Sequence, residues 1–122
     1  MKDDYKLQEL IDFLEESTEE SWKTDTVRSK DGKTNCVYGH IYAFGAGGYD
    51  KDGGIPACDF FEEVWATTYM LYPVNDGEDP RYTQSTPKQR VLAYLKDLRD
   101  GKEKNTRELW AEIELELANL NK

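Results

Sequence analysis

A mainly α-helical single domain is what this chain predicts, and three observations carry the prediction. Apolar residues recur every three or four positions through most of its length, helix start signals precede several of these stripes, and glycine gathers where the stripes stop. At 122 residues there is room for one core, so residues 1–122 read as one unit. Three Trp, eight Tyr and four Phe let few side chains bury much area, which argues for an ordered fold although only 38% of residues are hydrophobic.

About five helices follow, with one short β-hairpin. Tyr5, Leu7, Leu10, Ile11 and Leu14 place an apolar stripe on a first helix over roughly residues 4–16, capped by Asp3 or Asp4. Periodicity is lost over 17–34. There, β-branched residues flanking Lys30-Asp31-Gly32-Lys33 suggest a hairpin near 24–34 with Asp-Gly in its turn. A second helix takes Asn35 as N-cap, aligns Val37, Ile41 and Phe44, and stops at Gly45-Ala46-Gly47-Gly48; residues 45–56 form a loop. Asp59 with Glu62 makes a capping-box start for a third, strongly apolar helix carrying Phe60, Phe61, Val64, Trp65, Met70 and Leu71. Residues 73–86 read as a long connection. Thr86-Pro87-Lys88-Gln89 then starts a fourth helix, with Val91, Leu92, Leu95 and Leu98 on its inner face and Gly101 at its end. The last helix begins at Asn105 or Thr106 and carries Leu109, Trp110, Ile113, Leu117 and Leu120.

The formal charge of −9 is unevenly placed: residues 1–86 hold 18 acids against 8 bases, and residues 87–122 hold 7 against 8. Such a surface repels phosphate backbones, so no direct nucleic-acid binding is expected, and a protein partner with a basic surface is favoured. Glu9, Asp12, Glu16 and Glu20 form an acidic ridge that either is simply solvated or imitates a phosphate row in the basic groove of a nuclease or polymerase. Two cysteines are too few for a disulfide framework and fit a reducing cytosol. The start Met1-Lys2-Asp3-Asp4 has no apolar h-region and nowhere do eighteen apolar residues run together. Neither a secretory leader nor a membrane span is expected, and the expected location is cytoplasmic.

One constellation has the residue types of a site. Cys36 at the start of a helix gains from the free N–H groups there, and His40 lies at i+4 on the same face. With Asn75 or Asp76 to orient the imidazole, these are the parts of a small thiol hydrolase or transferase. The competing reading is a buried Cys36, a hydrogen-bonded core His40, and a turn at Asn75-Asp76-Gly77. Cys36, His40 and Cys58 with Asp59 or Asp76 could be offered to zinc, but no Cys-x-x-Cys pair supports it. Asp50-Lys51-Asp52-Gly53-Gly54 lacks a calcium loop's third acidic ligand, and Gly45-Ala46-Gly47-Gly48 lacks the Lys-Ser/Thr of a phosphate loop. No metal and no cofactor are expected. Trp22, Arg81 and Tyr82 are candidate partner anchors, being residue types that dominate interface energetics.

Trp22, Asp31-Gly32, Cys36-Val37-Tyr38-Gly39-His40, Asn75-Asp76 and Gln89-Arg90-Val91-Leu92 together resemble a family of small phage and bacterial proteins of unknown function. The likeness covers roughly residues 5–100 and departs from the family in His40, where a small residue is common, and in the glycine-rich loop. The resemblance implies a phage or prophage accessory protein in the bacterial cytoplasm. Its role would be inhibiting or modulating a host defence enzyme, such as a CRISPR nuclease, or taking part in assembly.

Overall fold

The computed structural model describes residues 6–54, 56–57, 59, 61, 71–103 and 106–120, the side chains of 106–110 excepted. Among the described residues the chain is mainly helical: α1 (Leu7–Glu16), a 3-10 turn (Glu19–Ser21), α2 (Val37–Ala46), α3 (Leu71–Asp76), α4 (Pro87–Arg99) and α5 (Thr106–Leu120), with no strand or sheet. None of these helices is long and apolar enough to cross a membrane.

α1 forms because Leu7, Leu10, Ile11 and Leu14 share one face, and all four are buried. Each contributes roughly 2 kcal/mol by leaving water. The N-cap of α1 is Lys6 and not Asp3 or Asp4, its side chain makes no capping bond, and the helix starts at Leu7 rather than near residue 4. The C-terminal end of α1 is closed by a cation: Lys88 Nζ donates to the carbonyls of Glu15 at 2.9 Å and Ser17 at 2.5 Å. α4 begins as its sequence indicates, with Gln89 N–H donating to Thr86 Oγ1 at 3.2 Å and Pro87 in the first turn. The Gln89 side chain does not reach back to the cap; it donates to Glu19 Oε1 instead. α4 packs against α1 and α3, and α2 touches all three, enclosing one core that includes Trp22, Phe61, Tyr82 and Tyr94.

Several expectations change. The 24–34 hairpin does not form strands: Asn35 makes isolated bridges to both Trp22 and Arg28, and its backbone bonds Ser21 and Lys23 on one side while Cys36 bonds Val27 on the other. A paired ladder cannot develop when the segment's end is shared this way, and Asp25 breaks extension with φ 73°. The Asp31-Gly32 turn itself is present, with Gly32 at φ 73° and its N–H on Ser29 O. The N-cap of α2 is Cys36 and not Asn35. Asn75 and Asp76 do not lie in a loop; they are the last residues of α3, which Gly77 ends at φ 78°. The α5 apolar stripe is not buried, and residues 111–120 are exposed throughout.

The loop predicted over 45–56 ends early: Gly54, Pro56 and Ala57 are already helical ahead of the Asp59 start expected for the third helix, in which Asp59 and Phe61 are helical and Phe61 is fully buried. Phe60, Glu62, Val64, Trp65 and Met70 lie outside the described residues, as does Cys58.

Candidate functional site

The two halves of the predicted constellation meet in part. Cys36, at the mouth of α2, is buried, and so is Asn75, whose Oδ1 accepts the Val37 N–H at 2.9 Å. Asn75 therefore caps α2 from across the fold, satisfying a helix-terminal donor that no neighbour in sequence reaches. Its Nδ2 donates to Lys23 O at 3.0 Å and to Asp76 Oδ1 at 2.9 Å, and that carboxylate oxygen also receives the Asp25 N–H at 3.2 Å. One amide thus ties α3, the 23–25 loop and the start of α2 together.

A cavity of about 60 Å³ lies where they join, lined by Cys36, Val37, Asn75, Asp76 and the rim residue Tyr72 among others. Among the described residues no hydrogen-bond partner within ordinary geometry reaches the buried Asp76 Oδ2. The charge of Asp76 raises the pKa of the Tyr72 hydroxyl. Burial pushes the Cys36 thiol up, the charge of Asp76 adds to this, and the N–H groups of Tyr38 and Gly39 lower it without prevailing. Cys36 is thereby kept as a thiol, the unreactive form.

His40 belongs to a different cluster. Its ring is fully buried and stacks on Trp22 with centroids 4.2 Å apart and planes 25° from parallel. Nε2 lies 3.2 Å from Ser21 O and Nδ1 lies 3.0 Å from Tyr49 Oη. The carbonyl can only accept, so Nε2 carries the proton and Nδ1 accepts from the tyrosine hydroxyl. Both nitrogens are committed to partners other than Cys36. The imidazole does not serve the thiol, and the pairing expected from i,i+4 spacing is not made. What the imidazole does hold is Tyr49 of the glycine-rich loop, whose ring is also covered by the Arg28 guanidinium at 5.6 Å.

Burial lowers the His40 pKa from 6.5 to about 4, against a smaller opposing effect of Ser21 O. The unfolded chain binds a proton near pH 6.5 that the folded chain refuses until about pH 4. Stability is thus retained above pH 6.5 and lost as pH falls through that interval, by about 3 kcal/mol in all. Because this is the only histidine, an imidazole NMR titration reads it without assignment. An apparent pKa near 6.5 in the folded protein would refute the buried placement.

The predicted anchors are largely interior. Trp22 is 6% exposed and donates from Nε1 to Ser17 Oγ at 2.8 Å. Tyr82 is 5% exposed, and its hydroxyl faces Glu103 Oε2 at 2.9 Å and Asp97 Oδ2 at 3.1 Å. Burial first, then those carboxylates, raises its pKa. Arg81 is half exposed, but its guanidinium grips both oxygens of Asp79 and also Glu103 at 2.7 Å. These residues close the fold and present no free anchor. The acidic ridge is where the spacing puts it: Glu9, Asp12, Glu16 and Glu20 are all exposed.

No family model, curated protein or solved structure matches this chain. Its chemistry therefore has to be read from the residues themselves. Among the described residues no three His, Cys, Asp or Glu side chains group to hold a metal ion, and the zinc set that included Cys58 lies partly outside them. One residue that the spacing did not flag is Arg90. It donates to Val74 O at 3.0 Å, Asn75 O at 2.8 Å and Gln84 O at 2.9 Å, closing the C-terminal end of α3. With Lys88 on the end of α1, Lys96 on Glu15 at 2.8 Å, and Arg99 on Gln8 and Asp100, the cations of α4 turn toward neighbouring helices and loops.

Proposed function

We propose that this chain is a non-enzymatic, phage-related binding protein. It docks its acidic α1 ridge on a basic host protein in the bacterial cytoplasm, and the partner is a nucleic-acid-handling defence enzyme such as a CRISPR nuclease. The observation that carries the reading is the division of α1 into two faces. Leu7, Leu10, Ile11 and Leu14 are committed to the core, and Glu9, Asp12 and Glu16, continued by Glu20 on the 3-10 turn, face solvent as a row of carboxylates. A rigid row of like charges steers a basic groove and fixes its register. The engagement of both His40 nitrogens away from a protonated Cys36 supports a binding role over a thiol-dependent one. The phage setting rests on the family resemblance alone.

The test is a fourfold neutral variant, Glu9→Gln, Asp12→Asn, Glu16→Gln and Glu20→Gln, assayed by biolayer interferometry against purified host defence nucleases at low and physiological salt. All four positions are exposed, so the melting temperature should hold. Association of the parent protein should be salt-sensitive and slow by roughly tenfold in the variant. Binding that ignores both salt and the variant would overturn the proposal.

A further inference from the structure

Among the described residues α5 makes no extensive contact with another helix. Every residue from 111 to 120 is exposed, and along it Ile113, Leu117 and Leu120 retain 44%, 55% and 79% of their accessible surface. Spacings of four and three put them on one stripe, which Trp110 extends in sequence by a further three positions. A 15-residue helix is near the lower limit of what persists alone in water, and its apolar stripe gains nothing until it is covered. In heptad terms the stripe occupies alternate a and d positions, with Leu117 at a and Ile113 and Leu120 at d. Glu114 then falls at e and Glu116 at g, the two positions that border the seam and choose the partner.

We infer that α5 is a docking helix for an amphipathic helix of a partner protein that carries leucine-like residues at a and d and lysine or arginine at e and g. Charge complementarity selects this occupant. A second copy of the chain would bring its own Glu114 and Glu116 to the same seam, with no basic residue between positions 108 and 121 to answer them. A basic helix covers the stripe and neutralises both borders at once. The inference extends the docking reading above by giving the basic partner a second point of contact, one that is apolar and able to supply affinity where the α1 ridge supplies steering.

The experiment uses the full chain and two synthetic three-heptad peptides, both with leucine at a and d, one with lysine and one with glutamate at every e and g. Fluorescence anisotropy should show saturable binding of the lysine peptide, with a gain in helical circular dichroism, and none of the glutamate peptide. Leu117→Glu, at an exposed position where folding is not at stake, should abolish it, while the fourfold α1 variant should leave most of it intact. No binding of the lysine peptide, equal binding of both peptides, or insensitivity to Leu117→Glu would overturn the inference. So would concentration-dependent dimerisation in analytical ultracentrifugation that Leu117→Glu removes, since the occupant would then be a second copy. Failure of the α1 variant to affect nuclease binding would count against the ridge and leave this result standing.

Discussion

Trp22→Ala is expected to cost about 4 kcal/mol of folding free energy, the usual range for deleting a large buried aromatic. In a chain of this length that lowers the melting temperature by roughly 10–20 °C. The indole fills the space between the turn after α1 and the His40 ring, it is nearly inaccessible, and its N–H is satisfied by Ser17. Trp22→Phe keeps a ring against His40 and loses only the Nε1 bond, so it should cost about 1 kcal/mol plus the smaller volume. The two variants separate packing from hydrogen bonding in one urea titration. A second readout comes from His40: burial is the leading cause of its lowered pKa, so removing the stacked indole should move the imidazole from about 4 back toward 6.5. A Trp22→Ala protein with parental stability that had lost partner binding would return Trp22 to the surface role its residue type suggests.

That substitution also marks where sequence reasoning holds and where it stops. The α1 stripe and the Thr86-Pro87 start of α4 were legible because their causes are local: buried positions recur at the helical period, and a cap is three residues from the N–H it satisfies. The role of Asn75 was not legible, because the N–H it caps belongs to Val37, thirty-eight residues earlier. Asn-Asp-Gly is good turn chemistry, and the same residues serve equally well to finish a helix, with Gly77 at positive φ in either case. The site followed the same division. Cys36 and Asn75-Asp76 do converge, while His40, one turn from Cys36 along the helix, sends its ring to Trp22, Ser21 and Tyr49. Spacing puts two residues on neighbouring parts of a helix surface, and the partners packed against that surface decide which of them meet. Trp22 and Tyr82 carried the composition of interface anchors, but the same large area that makes such residues valuable at an interface makes them valuable in a small core.

Asn75→Ala is the other large expected effect, about 3 kcal/mol, and its size follows from what the amide leaves behind. Removing it strands the N–H of Val37, which is fully buried at the start of α2, and the partly buried carbonyl of Lys23. Each orphaned group costs about 1–3 kcal/mol. Asp76 keeps the Asp25 N–H but loses the amide of Asn75. Asn75→Asp distinguishes the two halves of the role. Its oxygen still accepts from Val37, and negative charge suits a helix N-terminus, but it offers nothing to Lys23 O and faces Asp76 as a like charge. An intermediate loss is expected near neutral pH, easing as pH falls and one of the paired carboxyls takes a proton. Amide hydrogen exchange gives the local test: in Asn75→Ala the protection of Val37 should collapse first, with the 23–25 loop following. If protection there is unchanged and the stability loss is below 1 kcal/mol, the cross-fold cap contributes no more than an ordinary surface bond.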